Sequence, residues 1–276
     1  MVTITKALIA GLAIGAANAY PSPAESASSA KASASATATS TGAPAATPDP
    51  EAQAQLFQDL FTAPTAVKRF QRLLSNDKNG DTLLTGESLK AMTVFNFNGA
   101  KPNANATGGA TKSANIETFP ILTNLGISTT LGFLNACGIN TPHVHPRATE
   151  FLTVVEGTVD FGYVLENGLV KAGTPEIAGK LEKFEGTVFP MGSIHYQFNP
   201  TCDNAVFVAA LNSEDPGTNQ VAQGFFNLNA GVVNATLGFP KTIDGKNIEQ
   251  FRRTIPANIA QDIDNCLVKC KKGNGY

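Results

Sequence analysis

The sequence predicts an all-β core, a sandwich or a closed barrel of short strands, with helices before and after it. Three observations carry that expectation. From about residue 116 to residue 212, runs rich in β-branched and aromatic residues recur at short intervals. Tight-turn dipeptides such as Glu156-Gly157 and Asn167-Gly168 separate them. On either side the apolar spacing changes to a helical one. Charged residues make up only 15% of the 276, which suits a turn-rich extracellular protein better than a charged helical one.

Along the chain, Lys6 precedes an apolar run from Ala7 to Ala17, and Ala17-Asn18-Ala19 places small residues where a signal peptidase cuts. Residues 1–19 therefore read as a signal peptide. Residues 20–50 are dominated by Ala, Ser, Thr and Pro, cannot bury a core, and are expected to be disordered. Between Ala52 and Leu74, Leu56, Leu60, Phe61, Val67, Phe70, Leu73 and Leu74 recur at helical spacing and predict one or two amphipathic helices. Lys68-Arg69 fits the polar face of such a helix. Asp77 to Asp81 resembles the start of a calcium loop, but Thr82 and Ser88 stand where glycine and an acid are needed, so it reads as a turn.

The expected strands lie at 127–134, 151–155, 159–164, 187–189 and 205–209, within a barrel core of about 115–212. After Pro216 the pattern is helical over 221–226, 230–237, 248–253 and 259–269. No second copy of the strand region follows, so residues 51–276 form one domain.

Function classes narrow quickly. Twenty basic against 22 acidic residues, with no basic stripe, exclude nucleic acid as a partner. The apolar run at the N-terminus is too short to span a bilayer, and no later one is long enough, so no membrane association is expected. Four cysteines, Cys137, Cys202, Cys266 and Cys270, favour disulfides in a secreted chain. Asn105-Ala-Thr107 and Asn234-Ala-Thr236 are N-glycosylation acceptors that agree with secretion. No Ser-His-Asp arrangement, acid–base pair or phosphate-cradling loop is visible.

The chain has only three histidines. Two stand in Thr141-Pro142-His143-Val144-His145, where alternation along a strand gives both rings the same face. Glu150 follows at the start of the next apolar run, and His195 lies in a second glycine-framed segment about fifty residues on. Three imidazoles and one carboxylate suit Mn, Fe, Zn, Cu or Ni. A lone histidine near strands is usually structural, yet here every histidine of the chain falls into two segments that share one spacing logic.

Gly138-x4-His143-x-His145-x4-Glu150-x6-Gly157 resembles the first motif of the cupin superfamily, and Pro190-x-Gly192-x2-His195-x3-Asn199 resembles the second. The first gap is one residue short, and Gly186 stands two residues nearer Pro190 than usual. The segments 189–197 and 209–217 are similar to those of secreted germin-like and spherulin-like proteins. The resemblance implies a single-domain jelly-roll β-barrel holding one metal ion, commonly manganese, through His143, His145, Glu150 and His195; another transition metal is the alternative. Asn199, with Gln197 and Phe198, is a candidate for shaping the pocket.

The same resemblance implies either an oxidoreductase acting on a small molecule, superoxide or oxalate, or a non-enzymatic spherulin-like extracellular or wall-associated protein. It also implies a homo-oligomer, in keeping with apolar residues in the flanking helices, Leu56, Leu60, Phe225, Phe226, Val232, Val233, Leu237 and Phe239. If the two motifs share an ion, Cys137 just before one and Cys202 just after the other are brought together. A Cys137–Cys202 bridge is the expectation, which leaves Cys266 to pair with Cys270.

Overall fold

A computed structural model describes residues 49–103, 106–173, 175–238, 259–261 and 270, all within one compact unit, Pro48–Tyr276. The expected signal peptide and Ala/Ser/Thr/Pro-rich segment, Asn105, Phe239, Cys266 and the helix expected at 248–253 lie outside the described residues.

Two helices open the domain, α1 (Pro50–Thr62) and α2 (Ala66–Leu74). Each is started by a side-chain cap: Asp49 accepts from the Glu51 amide and Thr65 from the Lys68 amide. An Arg72–Asp59 ion pair at 2.6 Å ties them together. The segment Asp77–Asp81 is a turn, as expected. The Asp77 carboxylate accepts from the Asn79, Gly80 and Asp81 amides. Its Oδ1 is thus spent on the backbone of the turn. A short helix, α3 (Gly86–Thr93), follows.

The strands then run β1 (Gly109–Ala114), β2 (Ser128–Leu134), β3 (Gly138–Val144), β4 (Glu150–Glu156), β5 (Val159–Val164), β6 (Ile177–Leu181), β7 (Gly186–Phe189), β8 (Ile194–Phe198), β9 (Ala205–Leu211) and β10 (Asn219–Gln220). Helices α4 (Val221–Phe226) and α5 (Ala230–Thr236) come next, then β11 (Ile259–Gln261). The helical expectation for 259–269 is corrected at its start: residues 259–261 are drawn into extended pairing with β3.

All pairing is antiparallel. One sheet has the order β1-β2-β9-β4-β7 and the other β10-β3-β8-β5-β6, with β11 also on β3. The expected closed barrel is met only in part. Among the described residues hydrogen bonding does not pass from one sheet to the other, because each ends in short edge strands such as β7 and β6.

Period-two alternation drives the packing. On β9, Ala205, Phe207, Ala209 and Leu211 face inward and are buried, with Leu152 and Val154 of β4, Leu134, Val159 and Phe189. Burying each large side chain contributes roughly 1.5–3 kcal/mol. Gly132 sits directly across from Phe207, whose ring occupies the space a Cβ would need. In the helices, Leu60, Phe226 and Val233 are buried, while Val232 and Leu237 stay exposed.

The disulfide pairing differs from the expected one. Cys202 bonds Cys270, so neither Cys137–Cys202 nor Cys266–Cys270 forms. The reasoning about backbone proximity holds: the Cys137 amide donates to the Thr201 carbonyl at 3.1 Å. The C-terminal segment, however, comes alongside β3 through β11 and brings Cys270 to the same place. Cys137 is itself disulfide-bonded, and its Sγ lies 3.6 Å from that of Cys270.

Candidate metal centre

The four predicted donors converge. His143 projects from β3 and His195 from β8, which are hydrogen-bonded neighbours with His143 opposite His195. His145 follows directly after β3, and Glu150 opens β4 in the other sheet. The alternation that buries Leu152 and Val154 also turns Glu150 inward, so a carboxylate ends an otherwise apolar row. One ligand atom from each of the four lies within 4.8 Å of the others, and all four residues are buried.

Each imidazole is oriented by its other nitrogen. His143 Nδ1 faces the Thr141 carbonyl at 2.8 Å, His195 Nδ1 the Ser193 carbonyl at 2.9 Å, and His145 Nδ1 the Gly217 carbonyl at 2.6 Å. A carbonyl only accepts, so each Nδ1 carries its hydrogen and each Nε2 turns toward the shared centre. Glu150 Oε2 is 2.9 Å from His145 Nε2 and 3.5 Å from His195 Nε2.

This arrangement fits a cation and is a poor core without one. His195 Nε2 is fully buried with no hydrogen-bond partner, which ordinarily costs about 1–3 kcal/mol. Burial pushes the neighbouring His143 down to about 3, helped by the positive charge His195 would carry. Burial opposes the charged form of His145 too, but the hydrogen bond and charge of Glu150 outweigh it and raise that ring above its ordinary value. Burial would likewise raise Glu150, yet the facing rings of His145 and His195 hold it down to about 2. The set therefore offers lone pairs and one negative charge to a divalent ion.

Beside the donors is a cavity of about 70 Å³, room for roughly two waters at ~30 Å³ each. Thr111, Ser113 and Thr130 line it with hydroxyls, Asn140 and Gln220 with amides, and Phe207, Ala209 and Leu211 with an apolar wall. Among the described residues no lysine or arginine lines it. Asn140 was not singled out from sequence, although its place three residues before His143, on the same strand, could have suggested it. Its Nδ2 donates to Gln197 Oε1 at 2.6 Å, both side chains being buried.

Asn199 is placed elsewhere than the pocket. Its Nδ2 donates to the Leu134, Asn135 and Asp203 carbonyls, and its Oδ1 accepts from Thr201, so it braces the loop after β8. Asn234 lies on α5, half-buried.

The cupin family model matches residues 95–245. Spherulin-1A of Physarum polycephalum is 34% identical over 217 residues, covering 78% of this chain and 79% of that protein. Putative germin-like protein 2-3 of Oryza sativa subsp. japonica is 34% identical over 177 residues, 63% of this chain and 77% of its own. Among solved structures, an oxalate oxidase superposes with a TM-score of 0.52 at 23% identity, covering 66% of this chain and 92% of that one, a likeness of fold. With its two-sheet core and its His143, His145, Glu150 and His195 cluster, the chain belongs to the cupin family, among relatives named spherulins and germin-like proteins.

Proposed function

We propose that this chain is a secreted, metal-dependent oxidoreductase of a very small oxygen-rich molecule, with manganese as its ion and superoxide ahead of oxalate as its substrate. The observation that carries the reading is the meeting of four buried donors with a cavity of about 70 Å³ that, among the described residues, is lined by no cationic side chain. His143, His145, Glu150 and His195 would hold a redox-active ion, which when bound would supply the electron exchange that the described side chains of the cavity cannot carry. The chain's own residues do the rest. Glu150 offsets part of the ion's charge, and the Thr141, Ser193 and Gly217 carbonyls fix the rings. Thr111, Ser113 and Thr130 offer hydroxyls to a bound oxygen, and Asn140 has its amide steadied by Gln197. The phenyl and aliphatic wall limits water.

Oxalate is disfavoured because, among the described residues, its second carboxylate would meet hydroxyls and amides with no cationic side chain to pair with. The signal-peptide pattern supports secretion to the extracellular space or wall, and among the described residues no helix is long and apolar enough to cross a membrane. Exposed Phe151 and Val188, cross-strand neighbours on β4 and β7, support a homo-oligomer.

The test is metal identification by mass spectrometry on the purified protein, with superoxide and oxalate assayed side by side. The expected result is about one manganese per chain and superoxide dismutation, both abolished by His143→Ala/His145→Ala. Metal content that survives the double replacement would refute the site. Inactivity on both substrates at full occupancy would instead favour a non-enzymatic extracellular protein whose ion serves stability.

A further inference from the structure

We infer that Arg147 is a positioning residue for the metal centre, acting through the Asp215–Thr218 segment on His145. The inference rests on reading the four donors as metal ligands.

The three histidines are not held alike. His143 and His195 lean on carbonyls two residues back in the chain, Thr141 in β3 and Ser193 just before β8. Those acceptors come with the adjoining chain. His145 leans on Gly217, 72 residues away. Its ring orientation, and the direction of its Nε2 toward Glu150, therefore depend on a separate segment keeping its place. The Thr218 hydroxyl, 3.4 Å from the same Nδ1, comes from that segment too, and Thr218 and Gln220 form part of the cavity wall.

Arg147, two residues after His145, fastens that segment. Its Nε donates to the Asp215 carbonyl at 2.8 Å, its Nη2 to Asp215 Oδ1 at 2.7 Å, and its backbone amide to the Pro216 carbonyl at 3.1 Å. The guanidinium thus grips main chain and side chain of one residue in a fork, which a lysine cannot reproduce. Gly217 completes the device. At φ +66° it turns its carbonyl back toward His145, and a Cβ there would meet Arg147 Nη2 at 2.8 Å and Pro146 Cγ at 3.0 Å. The Arg147 and Asp215 side chains are 53% and 63% exposed, and exposed ion pairs of this kind add little to folding. Their geometry converges on a ligand, which is where their effect belongs.

The test is a Mn²⁺ titration of the full chain, with free Mn²⁺ read by its EPR signal, alongside thermal unfolding of the metal-free form. Arg147→Ala should weaken Mn²⁺ binding about tenfold, the lower end of what loss of a ligand's supporting partner costs. Asp215→Ala should weaken it less, because the main-chain acceptor for Nε remains, and Arg147→Lys should not restore wild-type affinity. The EPR signature of bound Mn²⁺ should broaden or shift in Arg147→Ala, while the metal-free Tm moves by no more than about 3 °C. Wild-type affinity in Arg147→Ala would overturn the inference alone. So would weakened binding accompanied by a metal-free Tm lowered by roughly 10 °C or more, which makes Arg147 a residue of the fold. A wild-type chain that binds no Mn²⁺ would overturn the reading of the site as well.

Discussion

In the metal-free chain a proton on His145 should stand where the ion binds, and metal binding should expel it. His145 presents Nδ1 to a carbonyl at 2.6 Å and Nε2 to Glu150 Oε2 at 2.9 Å. Both partners are acceptors, so the ring must carry hydrogens on both nitrogens, in accord with its raised pKa. Glu150, held down to about 2, stays a carboxylate, and His143, pushed down to about 3, stays neutral. An arriving divalent ion needs the His145 lone pair and displaces that proton. Protons then compete with metal, so affinity rises with pH by about tenfold per unit, until pH passes the folded-state pKa of His145, above 6.5. From pH 5 to 6.5 the Kd should fall, more steeply the further the pKa of His145 stands above its ordinary value. Calorimetry in buffers of different ionisation enthalpy should detect release of the His145 proton on metal binding. Glu150→Gln removes the charge that retains the proton and should flatten the slope at weaker overall affinity. A Kd that changes less than about threefold across that range, with no proton released, would refute the assignment.

Two further outcomes follow from the packing. Gly132→Ala sets a methyl within 2.1–2.6 Å of Phe207 ring atoms, and should cost about 1–3 kcal/mol in denaturant unfolding while displacing one wall of the cavity; unchanged stability would contradict the packing. Non-reducing peptide mapping should recover Cys202 linked to Cys270, and Cys270→Ser should lose about 4 kcal/mol by the loop-closure account for a separation of 68 residues; a Cys137–Cys202 peptide would contradict it.

Much of the site was legible because its chemistry depends on local spacing. His143 and His145 share a face as alternate residues, and Glu150 opens a strand whose inward phase is announced by Leu152 and Val154. Strands with strong branched and aromatic content were readable for the same reason: β5 runs Val159–Val164 as expected. β1 and β6 were not, since Gly109–Ala114 is small and polar and Ile177–Leu181 is largely exposed. Pairing with β2 and β5 makes them strands, and pairing partners leave little trace in a single segment. The disulfide failed in a like way. Cys137 and Cys202 lie on adjoining segments, as their motifs implied, but a chain returning from far along the sequence supplies the sulfur. The Gly217 carbonyl was invisible on the same grounds, being a backbone group 72 residues from the ring it orients.

The way the donors are divided also explains why one fold can keep such a site intact. Glu150 belongs to the five-stranded sheet, and His143 and His195 to the facing one. Among the described strands no backbone ladder joins the two sheets, so their mutual placement rests on the apolar faces, with Phe189 stacked on His195 at 4.4 Å and 13°. A cation shared by both sheets would add a directional link where apolar packing alone sets only distance. Its contribution follows mass action, about 2.7 kcal/mol when free metal stands at a hundred times Kd. That coupling makes ligand geometry and sheet packing parts of one equilibrium. It would leave the hydroxyls of Thr111, Ser113 and Thr130, which line the cavity from β1 and β2, to set what the ion meets without deciding whether the sheets hold together.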